Sequence, residues 1–443
     1  MFRSFVKYLF LIILTFFIVI WLLDYSFENK RFLFTKSKRL LSQDIIVLIQ
    51  TVSSNLVDHD FKLTNEKEFS LKDKIVNFKK FSNKIIKRRY YLEQDSQNVY
   101  LIGKRGELFF FPKKDILKNN EMEFKKITTN LKDLIGIKYI NDQSAVVKEI
   151  LIFQDNIFVS YIHNSNQCYS NGILQGKLNK KKISFFPFLI IDECKPRFNL
   201  SVGGNLKKYK DNKLILTVGD YMSYETVGED DPQNLDSLYG KILSIDLKTK
   251  KIDILSVGHR NPQGLFYDKD NDIIFSTEHG PQGGDEINVN TNPDKNEIKN
   301  FGWAISSYGE HYGYNLGWSE KIKKKSNLID ELYKVAPLHK SHKFYGFEEP
   351  IKYFIPSIGI TEILKVKSYN NDYYKLLVAS LGFDKDEHDM TLHILDFDNN
   401  FLQKKYEKIY LGERIRDIID LKNGFILMSL ESSGSIGLLS NVY

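Results

Sequence analysis

The sequence predicts an all-β protein, a six-bladed β-propeller preceded by an N-terminal transmembrane helix and a short linker. Two observations predict the propeller, and a third predicts the helix. Phe, Tyr and Trp make up 14% of the 443 residues, and aromatic residues favour strands. A polar turn followed by a short apolar or β-branched run recurs along the chain, and a long uncharged run lies near the N-terminus. The recurring elements begin at Asn98, Asn156, Asn212, Asn271, Asp372 and Asn423.

The spacing of these elements indicates radial repetition. The first four begin 58, 56 and 59 residues apart, and the last two intervals are 101 and 51 residues. A near-constant period is typical of repeat architectures, and one copy in each four-stranded blade gives six blades. The long interval predicts an insertion at residues 300–349. A β-sandwich with a second domain is the alternative, but sandwiches do not predict a period of this length.

The N-terminal run predicts a membrane anchor. Residues 8–23 carry no charge and follow Arg3 and Lys7, and a helix of this length covers about 24 Å. Positive charge before the run predicts that the N-terminus lies inside, and no small-residue cleavage pattern follows it. We therefore expect a cytoplasmic tip at 1–5, a signal anchor at 6–23, a linker at 24–85 and a propeller at 86–443 in the periplasm.

Charge and cysteine content narrow the function classes. The net charge of +7 comes from 63 basic and 56 acidic residues spread along the chain, which is not the pattern of a nucleic-acid-binding protein. Cys168 and Cys194 are the two cysteines, too few for a cysteine-built zinc site. They form either one disulfide, worth roughly 3 kcal/mol in the loop-entropy model, or two free thiols. The sequence does not decide between these states, because it does not place the two Cβ atoms.

Two polar motifs lie close together in the middle of the chain. The first, GHRNPQG at 258–264, offers a planar guanidinium from Arg260 and neutral donors from Asn261 and Gln263. This combination suits a ligand with several carboxylates. The second, TEHGPQGGDE at 277–286, combines three glycines with Asp285 and Glu286. Flexible backbone carbonyls and carboxylates suit a hard cation such as calcium. The alternative is that both motifs are tight turns with satisfied polar side chains.

The strings GHRNPQGL, STEHGPQGGDEIN and FGWAISSYG, with GERIRD at 412–417, resemble the glucose/sorbosone dehydrogenase family. The resemblance extends from about residue 203 to the C-terminus. Members of this family are soluble aldose sugar dehydrogenases that use pyrroloquinoline quinone (PQQ) and calcium on a six-bladed propeller. The resemblance implies PQQ contacts by Arg260, Asn261, Gln263, His279, Asp285, Arg414 and Arg416. It implies calcium ligation by the carbonyls of Gly280 and Pro281.

The sequence departs from this family at the catalytic base. The family's base histidine corresponds to Ser201, and a serine hydroxyl is not a base near neutral pH without a partner. His259 and His279, within the two motifs, are the candidate substitutes. The insertion adds His311, His339 and His342. The family's early quinone-contacting segment has only a weak match at 141–149, and Gly382 stands where several members have a lysine.

The sequence therefore predicts a membrane-anchored, periplasmic, PQQ-dependent sugar dehydrogenase relative with altered or lost catalysis. Its substrate would be a small sugar or alcohol, with no nucleic-acid partner. The alternative is a non-catalytic propeller that binds a carbohydrate, an envelope polymer or a protein partner. A metal-dependent lactonase-type hydrolase is less consistent with the sequence, because such a site needs several converging carboxylates and only Asp285 and Glu286 are adjacent.

Overall fold

The computed structural model describes residues 61–82, 89–118, 121–136, 146–166, 168–195, 201–222, 231–281, 283–294, 297–309, 342–368, 373–382 and 389–442. The first strands are β1 (Phe61–Ser70), β2 (Ile75–Ser82), β3 (Tyr90–Gln94), β4 (Asn98–Gly103), β5 (Leu108–Pro112), β6 (Glu121–Met122), β7 (Lys125–Thr129), β8 (Val147–Phe153), β9 (Asn156–Ser165), β10 (Cys168–Lys177), β11 (Lys182–Ile183), β12 (Phe185–Ile190), β13 (Gly203–Tyr209) and β14 (Lys213–Val218). The later strands are β15 (Lys241–Asp246), β16 (Ile252–Val257), β17 (Pro262–Asp268), β18 (Ile273–Glu278), β19 (Asp285–Thr291), β20 (Lys299–Asn300), β21 (Lys352–Phe354), β22 (Ile360–Val366), β23 (Tyr373–Ser380), β24 (Thr391–Asp398), β25 (Gln403–Tyr410), β26 (Ile415–Lys422), β27 (Phe425–Leu430) and β28 (Ser435–Ser440). The helices are α1 (Lys113–Lys118), α2 (Leu131–Ile135) and a 3-10 turn (His342–Tyr345).

These strands form six sheets, which are the blades of a propeller. Blade 1 contains β3, β4, β5, β7 and β11, and blade 2 contains β8, β9, β10 and β12. Blade 3 contains β13 to β16 with β20, and blade 4 contains β17, β18, β19 and β21. Blade 5 contains β22 to β25, and blade 6 contains β26, β27, β28, β2, β1 and β6. The predicted all-β, six-bladed architecture is confirmed.

The recurring polar-turn element predicted from the sequence corresponds to the second strand of each blade. These strands are β4, β9, β14, β18, β23 and β27. The turns before three of them place Asp155, Asp272 and Asn423 in the left-handed region, with φ of 60°, 52° and 53°. Asp and Asn tolerate this conformation better than most residues. Tight turns of this kind explain why polar residues precede each apolar run.

Six hydrophobic clusters hold the blades together, one between each pair of neighbouring blades. The cluster between blades 1 and 2 includes Tyr100 and Val159, and the cluster between blades 6 and 1 includes Phe81 and Phe111. Each blade is therefore apolar on both faces, which explains the near-continuous apolar runs of its central strands. The six clusters close the ring of blades.

Blade 6 joins the two ends of the described chain. Strand β28 pairs with β27 and also with β2, and β2 pairs with β1. The propeller therefore includes residues 61–82, and the predicted linker boundary at residue 85 is too far toward the C-terminus. The physical reason is that β1 is mostly exposed and rich in charged residues, so it lacks the apolar run that identified the other strands.

The innermost strands of the six blades are β3, β8, β13, β17, β22 and β26. Contacts between neighbouring inner strands join residues at equivalent positions, which shows that the strands run in the same direction. Examples are Asn205 Nδ2 to Gln263 O at 3.0 Å, Leu265 N to Glu362 Oε1 at 3.1 Å and Leu92 N to Asp417 Oδ2 at 2.5 Å. The first residues of all six inner strands consequently lie at the same end of the propeller.

The sequence left the state of the two cysteines open and predicted a membrane anchor. Cys168 and Cys194 are joined by a disulfide with a Cα–Cα distance of 5.1 Å. It links the first residue of β10 to a segment that pairs with it through Tyr169 and Lys195. Across the described ranges, no helix is long and apolar enough to span a membrane. The predicted tip at 1–5 and anchor at 6–23 lie outside those ranges.

Candidate functional site

Cationic side chains gather where the inner strands begin. We define the cationic cluster as Arg89, Lys148, Arg260, Arg414 and Arg416. Arg89 and Arg260 precede β3 and β17, Arg414 precedes β26, and Lys148 and Arg416 are each the second residue of an inner strand. Because the inner strands start at one end of the propeller, residues separated by more than 300 positions come together there.

Glu431, which follows β27, lies among four members of the cationic cluster. Its Oε1 accepts a hydrogen bond from Arg89 Nη2 at 2.6 Å, and its Oε2 accepts one from Arg416 Nε at 2.6 Å. Arg414 Nε lies 4.0 Å from Oε1. Burial acts to raise the pKa of Glu431, but Arg416 and Arg89 hold it down to about 2. One carboxylate therefore serves several cations, and the excess positive charge favours an anionic ligand.

Arg260 connects the two sequence motifs. Its Nη1 donates hydrogen bonds to the carbonyls of Gly280 at 3.0 Å and His279 at 3.2 Å. The guanidinium also lies over the ring of Trp303, 5.6 Å from the centroid. Its backbone N–H donates to the carboxylate of Glu278. The structure thus confirms that the two motifs are neighbours, as the pairing of β17 with β18 requires.

Asn261 and Gln263 have mainly structural contacts. Asn261 Oδ1 accepts hydrogen bonds from Gly203 N at 3.2 Å and from Gln263 Nε2 at 2.8 Å. Asn261 also accepts a hydrogen bond at its carbonyl from His279 N at 3.1 Å. Asn261 is buried, whereas Gln263 is partly exposed. The pair joins β17 to the start of β13 beside the cationic cluster.

His279 and Asp285 lie six residues apart in the second motif, and their side chains approach each other. The His279 ring Nδ1 lies 3.8 Å from Asp285 Oδ1. Burial lowers the pKa of His279. The positive charges of Arg416, Arg260 and Arg414 lower this pKa further, whereas the negative charge of Asp285 acts to raise it. Asp285 Oδ2 accepts hydrogen bonds from two backbone N–H groups at the start of β22, and its Oδ1 accepts none from the described residues.

The carbonyls predicted to bind calcium are both used within the protein. Gly280 O accepts the hydrogen bond from Arg260, and Pro281 O accepts one from Gly284 N at 3.1 Å. Each carbonyl retains a second lone pair, but the Arg260 guanidinium carries positive charge to the position where a cation would bind. The two carbonyls do not fit calcium in this arrangement, and ligation would require Arg260 to move away from Gly280.

Ser201, at the position of the family's base histidine, is buried and fixed by hydrogen bonds. Its Oγ lies 2.7 Å from Asp220 Oδ1 and 3.0 Å from the carbonyl of Arg260. Trp303 Nε1 donates to the other oxygen of Asp220 at 2.8 Å. These contacts join β13, the loop after β14 and β17. They give Ser201 a structural role.

Two further histidines, His259 and His342, are held by structural contacts. His259, a candidate substitute base, is fully buried, with Nδ1 2.9 Å from Glu278 Oε2 and Nε2 2.8 Å from Ser256 Oγ. Both ring nitrogens are thus occupied, and we set aside a catalytic role for His259. His342 is buried with Nε2 3.0 Å from Glu286 Oε1. His311 and His339 lie outside the described residues.

Three carboxylates converge on the propeller axis, which the sequence did not predict. Oxygens of Glu149, Glu362 and Asp417 lie within 4.8 Å of one another. Lys207 Nζ lies 3.4 Å from Glu149 Oε2 and 3.3 Å from Glu362 Oε2. Burial raises the pKa of Asp417 to about 7 and also raises that of Glu149. Because this cluster is buried and partly neutralised by Lys207, it is not the open site that a hydrolase needs.

Sequence reasoning missed Arg89, Lys148 and Glu431. Glu431 lies between the apolar strand β27 and Ser432. Because β27 forms a hairpin with β26, Glu431 is next to Arg416, and this hairpin was the signal that could have identified it. Lys148 lies in the segment with only a weak family match. Arg89 precedes the first inner strand, and no local pattern distinguishes it from its basic neighbours in the sequence.

The family model described as Glucose / Sorbosone dehydrogenase matches residues 149–438. The chain belongs to the glucose/sorbosone dehydrogenase family. The recognition of this family from the motifs is confirmed. The matched region covers blades 3, 4 and 5 completely, most of blade 2, and β26, β27 and part of β28 in blade 6. Arg89 and Lys148, both in the cationic cluster, precede the matched region.

Curated relatives and solved structures agree with this family. The chain is 27% identical over 256 residues to the aldose sugar dehydrogenase YliI of Escherichia coli, covering 53% of this chain. An uncharacterized protein of Borreliella burgdorferi is 25% identical over 374 residues, covering 74% of this chain and 89% of the relative. The alignments cover 58% and 42% of the first two curated relatives, so the chain spans about half their length.

Among solved structures, the apo-form of the soluble aldose sugar dehydrogenase of Escherichia coli superposes with a TM-score of 0.57 at 19% identity. The match covers 82% of this chain and 99% of that one. A crystal structure of a glucose dehydrogenase gives the same TM-score and identity, covering 79% and 95%. At these identities the likeness shows the propeller fold alone.

Proposed function

We propose that this glucose/sorbosone dehydrogenase family member binds PQQ at its cationic cluster and oxidises a small sugar or related alcohol. The observation that carries the proposal is the set of cations around Glu431, at the end of the propeller where the two family motifs also lie. A tricarboxylate matches this excess of positive charge. Arg260 and Arg414 present guanidinium groups to backbone carbonyls, Gly280 O at 3.0 Å and Gly382 O at 2.7 Å. A carboxylate is a stronger acceptor than either carbonyl.

The protein contributes binding, orientation and charge to such a reaction. When bound, PQQ supplies the hydride acceptor. Arg89 and Arg416 are fixed by Glu431, so they hold positive charge in place before a ligand arrives. Asn205, with Glu362 and Gln263 as partners, fixes the inner strands beneath the site. A rigid scaffold with preorganised cations is what an anionic cofactor requires.

Calcium is proposed together with the quinone, at the carbonyls of Gly280 and Pro281. Two cations do not share the Gly280 oxygen, so calcium ligation requires the Arg260 guanidinium to leave it. A carboxylate of the quinone would offer Arg260 another acceptor. Calcium binding should therefore be weak without the quinone and stronger with it, and a titration of calcium in both states measures the difference.

One observation favours the second candidate function, a propeller that binds a carbohydrate, an envelope polymer or a protein partner without redox chemistry. Ser201 occupies the position of the family's base, and its hydroxyl is fixed by Asp220 and by a backbone carbonyl. His259 is likewise occupied. A binding protein requires none of these groups as a base. The two functions share the cationic cluster and differ in whether a bound alcohol is oxidised.

Calorimetric titration of PQQ into the full-length protein and its variants tests the binding site. Replacing Arg414 by Ala removes a charge-assisted hydrogen bond worth about 1.5–3 kcal/mol, so affinity should fall about 10- to 150-fold. The matched control is Lys182→Ala, an exposed cation on β11, which should leave affinity unchanged. Equal affinity for Arg414→Ala and the wild type would contradict the proposed quinone site.

The proposed location is the periplasmic face of the inner membrane, with residues 6–23 as the anchor. The uncharged run and the preceding basic residues support the anchor. The disulfide between Cys168 and Cys194 supports an oxidising compartment. A reporter fused to the C-terminus should be accessible only from outside the cytoplasmic membrane. Accessibility from the cytoplasm would contradict the location.

A further inference from the structure

Lys148 lies at the start of β8 with its side chain packed against the backbone of Gly204. A Cβ added to Gly204 would lie 2.6 Å from Lys148 Cβ and 2.7 Å from Cγ. Gly204 has a φ of +101°, which a residue with a side chain rarely adopts. The glycine therefore leaves room for the lysine stem. This contact places Lys148 on the segment that begins with Ser201, where the family's base would be.

The ammonium group of Lys148 has no hydrogen-bond or ion-pair partner among the described residues. The charged groups that act on it are Arg89, which precedes the inner strand of blade 1, and Arg416 and Glu431 of blade 6. Glu431 accepts hydrogen bonds from Arg89 and Arg416, and among the described residues it accepts none from Lys148. Lys148 is therefore a partly buried amine beside two fixed guanidinium groups.

This environment favours the neutral form of the amine. Burial lowers the pKa of Lys148 to about 7. The positive charges of Arg89 and Arg416 contribute to this decrease, whereas the negative charge of Glu431 opposes it. A lysine desolvated beside other cations is a recognised way to obtain a neutral amine near neutral pH. Ser201 and His259 have their polar atoms occupied. Lys148 differs from them in being unpartnered.

We propose that Lys148 is the proton acceptor for the alcohol oxidised at the cationic cluster, replacing the base that Ser201 cannot provide. The inference rests on the proposed function. In the oxidation, the hydroxyl proton passes to Nζ of Lys148, which becomes an ammonium. If PQQ were bound beside the cationic cluster, it would supply the acceptor for the hydride from the carbinol carbon, whose bond to oxygen would become a carbonyl. The amine regains its neutral form by releasing the proton to solvent.

The first test measures the amine directly and needs no cofactor. The lysines of the full-length protein are reductively methylated with ¹³C, and each methyl signal is followed by NMR as the pH is raised. The signal absent from the Lys148→Arg variant belongs to Lys148. We expect its midpoint near pH 7, well below that of an unperturbed lysine. A midpoint for Lys148 at 9.5 or higher would overturn the proposal.

The second test separates a base from a fixed charge. Lys148→Arg carries a permanent positive charge and Lys148→Met retains the approximate length of the side chain, but neither supplies a base. With PQQ bound, both variants should lose about 100-fold or more of kcat, whereas a residue that acted only through its charge would lose activity in Lys148→Met and keep it in Lys148→Arg. In the wild type, kcat/KM should rise through pH 7. The control Lys182→Met should retain full activity.

The outcomes distinguish this inference from the proposed function. If the wild type does not bind PQQ, the proposed function fails, and the role of Lys148 in it fails as well. If the wild type binds PQQ and oxidises a sugar, but Lys148→Arg retains its kcat, then Lys148 serves only as a charge and the inference alone is overturned.

Discussion

The buried carboxylates on the propeller axis yield a prediction about stability that depends on pH. Asp417 is buried, its Oδ2 accepts a hydrogen bond from Leu92 N, and its Oδ1 accepts none from the described residues. Burial raises its pKa to about 7, opposed by Lys207, with Glu362 adding to the rise. The folded state therefore binds this proton more tightly than the unfolded chain does. Stability linked to Asp417 is present below pH 4 and is lost as the pH rises through 7.

Replacing Asp417 by Asn should remove this loss of stability at high pH. The Asn oxygen can still accept from Leu92 N, and its amide N–H can donate to Glu149 or Glu362, whose oxygens lie within 4.8 Å of Asp417. Moving a carboxyl pKa from about 4 to about 7 corresponds to about 4 kcal/mol. Because Glu149 also has a raised pKa and can carry the shared proton, we expect the variant to gain about 2 to 4 kcal/mol at pH 8.

Urea-induced unfolding of the full-length protein at pH 5 and pH 8 measures this effect. The advantage of Asp417→Asn over the wild type should be about 2 kcal/mol greater at pH 8 than at pH 5. The matched control is Asp253→Asn, which changes a partly exposed carboxylate on β16 outside the axial cluster. An advantage that is equal at the two pH values, or a loss of stability at pH 8, would refute the account of the axial cluster.

Two further predictions concern stability. Replacing Lys207 by Met leaves the buried carboxylates without their cation, so the free energy of unfolding should fall by about 3–5 kcal/mol at pH 8. Urea denaturation measures this decrease. A change below about 1 kcal/mol would contradict the neutralising role of Lys207. Replacing both Cys168 and Cys194 by Ala should lower stability by roughly 3 kcal/mol. The double variant should then be insensitive to dithiothreitol, and a wild type that is equally insensitive would contradict the disulfide.

The sequence predicted the fold best where local physics determines it. Each blade's second strand is a buried apolar run preceded by an Asn or Asp turn, and both features are visible in a window of a few residues. Strand β1 could not be found in this way, because its burial depends on pairing with β2 and β6. The closure of blade 6 joins residues more than 300 positions apart, as in the pairing of Asn77 with Ser440.

The site was predicted in part for the same reason. The motif around Arg260 and His279 is continuous in sequence, so its chemistry could be inferred. Arg89, Lys148 and Glu431 come from three other positions in the chain, and only the parallel arrangement of the inner strands brings them to one end. The roles of His259 and Ser201 also depended on their partners, Glu278 and Asp220, which no spacing rule identifies.

The central claim is that the cationic cluster binds PQQ. The most direct measurement is calorimetric titration of PQQ into the full-length protein, once with calcium and once with a chelator. We predict one site per chain, with micromolar or tighter affinity in the presence of calcium and weaker affinity without it. No detectable binding in either condition would contradict the claim and would leave this family member as a propeller with a different anionic ligand.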